Sequence, residues 1–420
     1  MSDIKEMIAA AGVMMSEEDK ELVAIVHDFV IKEVRPTAAE YDRKGELNWD
    51  AFNKAFEMGL VCSSLPVEYG GQGLSQVTHS WISEELMYGD AGFGLTCGTN
   101  NLGIKPVMLF GTEEQKKLAV ETVVSDRPGR DPRWPKKRNG FISFALTEPD
   151  AGSDPAACKT TAVKSADGSE YILNGTKCFI TNAPYADLFT LVASTDRSKG
   201  YAGLTMFLVD AHLPGVSIGR HEDKMGIRQS ATSDVIFEDV HIPASALIGK
   251  EGEGFKYAMK TLEFGRGGVG ANCTGIARAA LEAGMTPDAL LTDVELALEA
   301  LDTANTALQN RFSPELGRRA AEIFSGLTMR ALGMKVAALI DAGEMKAAGV
   351  LGPIAKCCCS DMLQKVVTEA VQVMGGYGYM RDYPVEKLMR DAKIYQIFEG
   401  TNEIQRIVIG AQVIKEYKID

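Results

Sequence analysis

The segment YQIFEGTNE, Tyr395 to Glu403, sets one carboxylate, Glu399, between the apolar pair Ile397–Phe398 and a Gly-Thr. A glutamate buried without a partner is costly. Either this one ends a helix by accident, or it is kept semi-dry so that it can accept a proton. A second stretch, FALTEPDAGSD (144–154), offers the hydroxyls of Thr147 and Ser153 and an unencumbered backbone at Gly152. A turn of that composition suits a pyrophosphate or a flavin edge, though Ser, Gly and Asp also build ordinary turns. In a third stretch, KCFITNA (177–183), Phe179 precedes Thr181. An aromatic there could flank an isoalloxazine ring or sit in a strand core.

Other chemistries find less support. GRGGVG (265–270) matches the dinucleotide pattern GxGxxG, but it follows the helix-like FKYAMKTLEF, and that pattern works only straight after a strand. Its glycines fit close helix packing instead. The five histidines (His27, His79, His212, His221, His241) are scattered, with no HExxH, so no metal site is expected. Neither GxSxG nor a Walker A motif is present.

The elements that must hold these residues follow from hydrophobic period. EDKELVAIVHDFVIKEVRP places Leu22, Val26, Phe29, Val30 and Val34 at helical spacing, with a stop expected at Pro36. SDRPGRDPRWPKKRNG (125–140) is rich in Pro, Gly and basic residues and reads as a loop. From 141 to 250, short β-branched runs alternate with turn signals such as Asp167-Gly168. Beyond 250 the helical period returns: Leu363, Val366, Val367, Ala370, Val371 and Met374 share a face, closed by Gly375-Gly376. AEIFSGLTMRALGMKVAALIDAG (321–343) reads as a further amphipathic helix. The order is helices (1–140), a β domain (141–250), then helices (251–420).

Composition narrows the function class. The 420 residues are 45% hydrophobic and 24% charged, as in ordinary globular proteins, and the length admits two or three domains. A net charge of −13 argues against nucleic-acid binding, which needs clustered Lys and Arg. No 18-residue apolar run exists and the start, MSDIKEMIAAAGVMMSEEDKE, has no signal-peptide core, so no membrane association and a cytoplasmic location are expected. Eight cysteines, three of them consecutive at 357–359, suit reduced core residues better than a disulfide scaffold.

Taken together, ALTEPDAGSD, NGTKCFITNA, DKMGIRQSATSDVIFEDVHIP and QVMGGYGYMRDYPVEKLMRDAKIYQIFEGTNEIQR resemble the acyl-CoA dehydrogenase family over nearly the whole chain. The resemblance implies an α+β multidomain fold: an N-terminal helical domain, a middle β-barrel or sandwich domain and a C-terminal four-helix bundle. It implies FAD held between the β domain and helical bundles of two subunits, in a homotetramer. The reaction would be α,β-desaturation of an acyl-CoA thioester, with a base removing the α-proton while the β-hydride goes to flavin N5. Electrons would pass to an electron-transfer flavoprotein.

The family's base falls on Glu399. An apolar setting should raise its pKa and improve it as a base near neutral pH. Its backbone N–H and a flavin ribityl hydroxyl would hold the thioester carbonyl. Some members carry the base directly before an arginine that contacts CoA; here Arg266 matches the arginine, and Gly265 occupies the alternative base position. By the same resemblance Phe144, Leu146, Thr147, Gly152 and Ser153 would contact flavin, with Phe179, Ile180 and Thr181 along the ring. Gln372, Gly375 and Gly376 would meet the adenosine of a neighbouring subunit's FAD, and Thr401 and Glu403 the phosphates and adenine end. Glu263, Arg266, Gly400 and Ser153 would face the substrate, with Gly94 and Gly98 lining the acyl pocket.

Three departures stand out. The family's Arg-x-x-Phe-Gly reads QNRFS here, with Gln309 and Ser313 in place of the arginine and glycine, leaving Arg311 as the substitute for the FAD-pyrophosphate contact. The preceding 284–302 looks inserted or rebuilt, and the 125–140 loop is longer than usual. Gly94, where glutaryl-type members carry an arginine, argues against a decarboxylating glutaryl enzyme. With Gly98 it implies room for a branched, cyclic or aryl acyl group, unless other helices fill the gap. Alternatives are an enoyl-CoA reductase running the reverse reaction, an oxygen-using oxidase, and a relative with other chemistry, such as a desulfinase or a non-enzymatic CoA-binding scaffold.

Overall fold

The computed structural model describes residues 15–124, 126–128, 137–283 and 329–417. Arg311 with the altered Gln309–Ser313 stretch, the 284–302 segment, and 1–14 lie outside the described residues. The chain divides into two compact units. One comprises Met1–Ala39, Ser80–Ala91 and Arg266–Asp420; the other comprises Glu40–His79 and Gly92–Gly265.

Helices α1 (Glu17–Phe29), α2 (Ala38–Lys44), α3 (Trp49–Glu57), α4 (Gln76–Gly89), α5 (Ala91–Phe110) and α6 (Glu113–Val124) open the chain. Ser16 caps α1, its hydroxyl accepting from the Asp19 amide at 3.0 Å. Pro36 does not stop the chain as the sequence predicts. A π-turn at Val30–Val34 and a 3-10 turn at Arg35–Thr37 carry the helical path on into α2. Pro36 sits in the first turn of the 3-10 segment, where its missing N–H costs nothing.

The loop expected at 125–140 contains a short ladder, β1 (Asp126–Pro128) pairing antiparallel with β2 (Lys137–Asn139). Three-residue strands carry too little period to be read from sequence. The remaining strands form one mixed seven-stranded sheet in the order β3-β6-β4-β5-β9-β8, with β7 also on β6. These are β3 (Ile142–Ala145), β4 (Thr161–Lys164), β5 (Glu170–Thr181), β6 (Leu188–Ser194), β7 (Leu204–Asp210), β8 (Val216–His221) and β9 (Thr232–Pro243). The Asp167-Gly168 turn joins β4 to β5, Gly168 taking a φ of +73°. Alternate residues enter one core, Tyr171 and Leu173, Phe189 and Leu191, Phe207 and Val209, Val235 and Phe237, while β6 and β7 are buried on both faces. Burying each such large side chain contributes about 1.5–3 kcal/mol.

β7 takes one edge of β6 along its whole length. The other edge is shared, β3 pairing with Leu188–Leu191 and β4 touching Ser194. The chain between β3 and β4, residues 146–160, must therefore leave the sheet and return to it. Helix α5 docks on β3 and β6: Ile142 N–H donates to Asn100 Oδ1 at 3.0 Å, and Thr190 Oγ1 donates to the Gly103 carbonyl at 2.6 Å.

The C-terminal helical region comprises α7 (Gly254–Ala283), the helical run 329–341, α8 (Met345–Val373), α9 (Val385–Ala392) and α10 (Asn402–Tyr417). GRGGVG lies inside α7, as its context implies. A Cβ on Gly270 would come within 2.7 Å of the Gly333 Cα, and one on Gly267 within 2.6 Å of Val336, so these glycines let two helices touch. Within the same unit, buried Glu84 and Glu85 on α4 receive Arg278 at 2.9 and 2.6 Å, and Arg330 reaches Glu84 at 2.7 Å. Of the eight cysteines, all free, seven are buried and Cys358 is exposed. Among the described residues no helix is long and apolar enough to cross a membrane.

Candidate active site

The 146–160 excursion is fastened by a buried pair. Lys177 Nζ on β5 donates to Glu148 Oε1 at 2.7 Å and to the Leu146 carbonyl at 2.9 Å. Glu148 also accepts from the Lys159 amide at 2.6 Å and the Thr160 amide at 3.0 Å. Burial pushes the Glu148 carboxyl up, but the Lys177 ammonium and these donors overcome it and hold it at about 2. The ends of the segment that begins LTEP are thus clamped to the sheet.

Across from it the β5–β9 register slips between Lys177 and Ile180. Cys178 N–H leaves the ladder and donates to the Thr147 carbonyl at 2.9 Å. Phe179 takes a left-handed φ of +57° and turns its ring out, 67% exposed. A bulge re-aims a side chain in this way. Phe179 is therefore no strand-core residue. Ile180 is the core residue, 2% exposed inside the sheet cluster, so only its backbone can face outward with Phe179. Phe144, Leu146, Thr147 and Thr181 are half-buried, and Gly152 and Ser153 are exposed. Among the described residues, no atom beyond the glycine and its two chain neighbours lies within 4 Å of where a Gly152 Cβ would stand.

Glu399 belongs to the other unit. Helix α9 is anchored by Lys387, whose Nζ meets Asp90 at 2.7 Å and Asp391 at 2.6 Å. A 3-10 turn, Lys393–Gln396, follows, with Tyr395 buried edge-on against Phe398 at 4.9 Å. Glu399 (φ +54°) and Gly400 (φ +85°) are then both left-handed, which reverses the chain into α10. Holding a glutamate there costs on the order of 1–3 kcal/mol. Gln405 Nε2 supports the turn by donating to the Glu399 carbonyl at 3.0 Å, and a Cβ on Gly400 would lie 2.6 Å from that nitrogen.

The Glu399 side chain is half-buried, but its Oε2 is fully buried with no hydrogen-bond partner among the described residues. Burial raises its pKa above the ordinary carboxyl value, against the opposing pull of Arg266 and Lys356. Arg266 is buried on α7, whereas Glu263, one turn earlier, is exposed. Sequence reasoning missed Lys356, which is fully buried on α8 and donates to Asn402 Oδ1 at 2.7 Å. Its signal was available: Lys356 falls on the apolar stripe formed by Gly352, Ala355, Cys359 and Leu363.

Elsewhere, Gln372, Gly375, Gly376 and Glu403 are exposed, and Thr401 Oγ1 accepts from the Ile404 amide at 3.4 Å. On α5, Gly94 is buried and Gly98 half-buried, and among the described residues no atom outside the helix's own neighbouring backbone lies within 4 Å of a Gly98 Cβ. No group of three or more His, Cys, Asp or Glu side chains able to hold a metal occurs among the described residues.

Comparison with known proteins adds to this geometry. The models of the acyl-CoA dehydrogenase N-terminal, middle and C-terminal domains match residues 16–127, 143–240 and 315–414. The short-chain specific acyl-CoA dehydrogenase of Megasphaera elsdenii is 37% identical over 411 residues, covering 96% of this chain and 99% of its own. The cyclohex-1-ene-1-carbonyl-CoA dehydrogenase of Syntrophus aciditrophicus is 36% identical over 410 residues, covering 95% and 91%. Among solved structures, a chain from work on the electron transferring flavoprotein of Acidaminococcus fermentans superposes with a TM-score of 0.82 at 36% identity, covering 96% and 99%. An acyl-CoA dehydrogenase complexed with FAD from Bacillus anthracis does so with a TM-score of 0.78 at 29% identity, covering 96% and 69%.

Proposed function

The chain belongs to the acyl-CoA dehydrogenase family, and from that premise we propose that it desaturates a branched, cyclic or aryl-bearing acyl-CoA with Glu399 as the base. The observation that carries the base is the unpartnered, buried Glu399 Oε2 on a doubly left-handed turn. An α-proton beside a thioester is weakly acidic, and a carboxylate freed from water and raised in pKa is a better acceptor for it near neutral pH. The Glu399 N–H, which finds no acceptor among the described residues, is available to the thioester carbonyl, where negative charge gathers as the proton leaves. Gly265 offers no rival base, and exposed Glu263 lacks the dry setting.

FAD is the cofactor, and the sheet's residues fit it. Phe179 offers an open aromatic face, and the Gly152 position leaves space for close backbone approach. Leu146, Thr147, Ser153 and Thr181 would hold it beside that ring. When bound, FAD supplies a two-electron acceptor for the β-hydride. Likeness to the Acidaminococcus chain supports an electron-transfer flavoprotein as the onward acceptor. Family membership and the exposure of Gln372, Gly375 and Gly376 support a homotetramer in which they meet a neighbour's cofactor.

Room for the acyl group rests on Gly98, whose missing side chain is replaced by no other side chain within 4 Å among the described residues. The cyclic substrate named for the Syntrophus relative agrees with it; the short-chain name of the Megasphaera relative favours a compact acyl group instead. Anaerobic titration of the FAD-loaded protein with butyryl-, octanoyl-, isovaleryl-, cyclic and aryl-substituted acyl-CoA separates them. Bulky thioesters should bleach the flavin band, and Gly98→Leu should lose them selectively. Bleaching by butyryl-CoA alone, or equal losses on short and bulky substrates, would sink the spacious pocket. A flavin that no acyl-CoA reduces, yet that an enoyl-CoA reoxidises, would make the protein a reductase.

A further inference from the structure

We propose that Lys356 is a positioning residue for the Glu399 base: a buried cation, tethered through the Asn402 side chain, that fixes the turn and sets when the carboxyl ionises. This rests on reading Glu399 as the base. Lys356 has no exposed surface, and its Nζ donates to Asn402 Oδ1 at 2.7 Å. Asn402 opens α10 only three residues after Glu399. Its Nδ2 donates onward to Asp361 Oδ1 at 2.8 Å and Ser360 Oγ at 2.9 Å. One stretch of α8, residues 356–361, therefore grips the residue on which the Glu399 turn lands.

Packing alone does not explain a lysine here. A buried ammonium on a single neutral acceptor is costly, and an apolar side chain of similar length would fill the same space without that cost. The charge has a reader in Glu399. Among the described residues, the titratable groups whose charges act on Lys356 are Glu399, Cys273, Cys357 and Asp361, and the cations whose charges act on Glu399 are Arg266 and Lys356. Arg266 stays charged at every accessible pH. Burial lowers Lys356 to about 8, so its charge is present through the range in which Glu399 must lose its proton. Burial pushes the base toward its neutral form, and Lys356 limits that push.

The test is the pH profile of kcat/KM for FAD-loaded Lys356→Gln, with melting temperature and FAD content as checks on folding. The acid limb should move to higher pH by roughly half to one unit, with the plateau largely regained above it. An acid limb that stays in place under a lowered plateau would reduce Lys356 to a packing residue and overturn the proposal. Lys356→Met, equally uncharged and better suited to a buried channel, is read the same way if the amide variant does not fold. Glu399→Gln separates the two readings. If it is inactive at every pH while the Lys356 limb is unmoved, only the lysine proposal fails. If it stays active, the base assignment itself fails.

Discussion

Glu399 is a residue that stability alone would not choose. It stands in a left-handed conformation with a buried, unpartnered carboxyl oxygen. Its folded-state pKa is raised by burial, so the folded protein retains the proton at a pH where the unfolded chain has released it. Stability linked to that proton is complete below the ordinary carboxyl value and is lost as pH rises through the folded value. Glu399→Gln, which keeps the shape without the charge, should melt a few degrees above the parent at pH 8 and level with it at pH 4. Thermal melting at the two values checks this; an offset that is the same at both would show that no burial-strained carboxylate was removed. The sequence makes this residue legible through its apolar neighbours. It does not reveal Lys356 as a partner, because that needs two helices brought together.

At the scale of elements, the bulge at Cys178–Phe179 and the Lys177–Glu148 pair shape the surface proposed above to receive the flavin. Lys177→Met would leave Glu148 buried without its cation and should destabilise the protein by about 3–5 kcal/mol. Adding Glu148→Gln should recover much of that, and FAD retention on gel filtration should follow the same order. A single variant as stable as the double would show that the pair clamps nothing. Glu148 is held at about 2, so its contribution is present above the ordinary carboxyl range and fades as pH falls toward 2. The turn residues of TEPDAGSD are visible in sequence by type. Phe179's outward ring is not, because the slip that exposes it lies in the register between β5 and β9, whose partners there are far apart in the chain, Lys177 with Val235 and Ile180 with Ser233. Pro36 misleads for a related reason: the wider turn that tolerates it is set by packing around Val30 and Val34, both buried.

At the scale of the molecule, the succession of helices, sheet and helices is read directly from the change in hydrophobic period. The compact units are not, since they join the first helices to the last third of the chain. What period cannot give, matched motifs supply, and the three family-model matches fall on the helical, β and helical segments in that order. The proposed desaturation turns on one carboxylate, Glu399. Its most direct test is the anaerobic rate at which excess acyl-CoA bleaches the flavin band in parent and Glu399→Gln proteins carrying equal FAD. Loss of a positioned general base predicts a fall of about 10²–10⁴-fold or more, with substrate still bound. Bleaching at an unchanged rate would contradict the assignment of Glu399 and send the search for the base elsewhere.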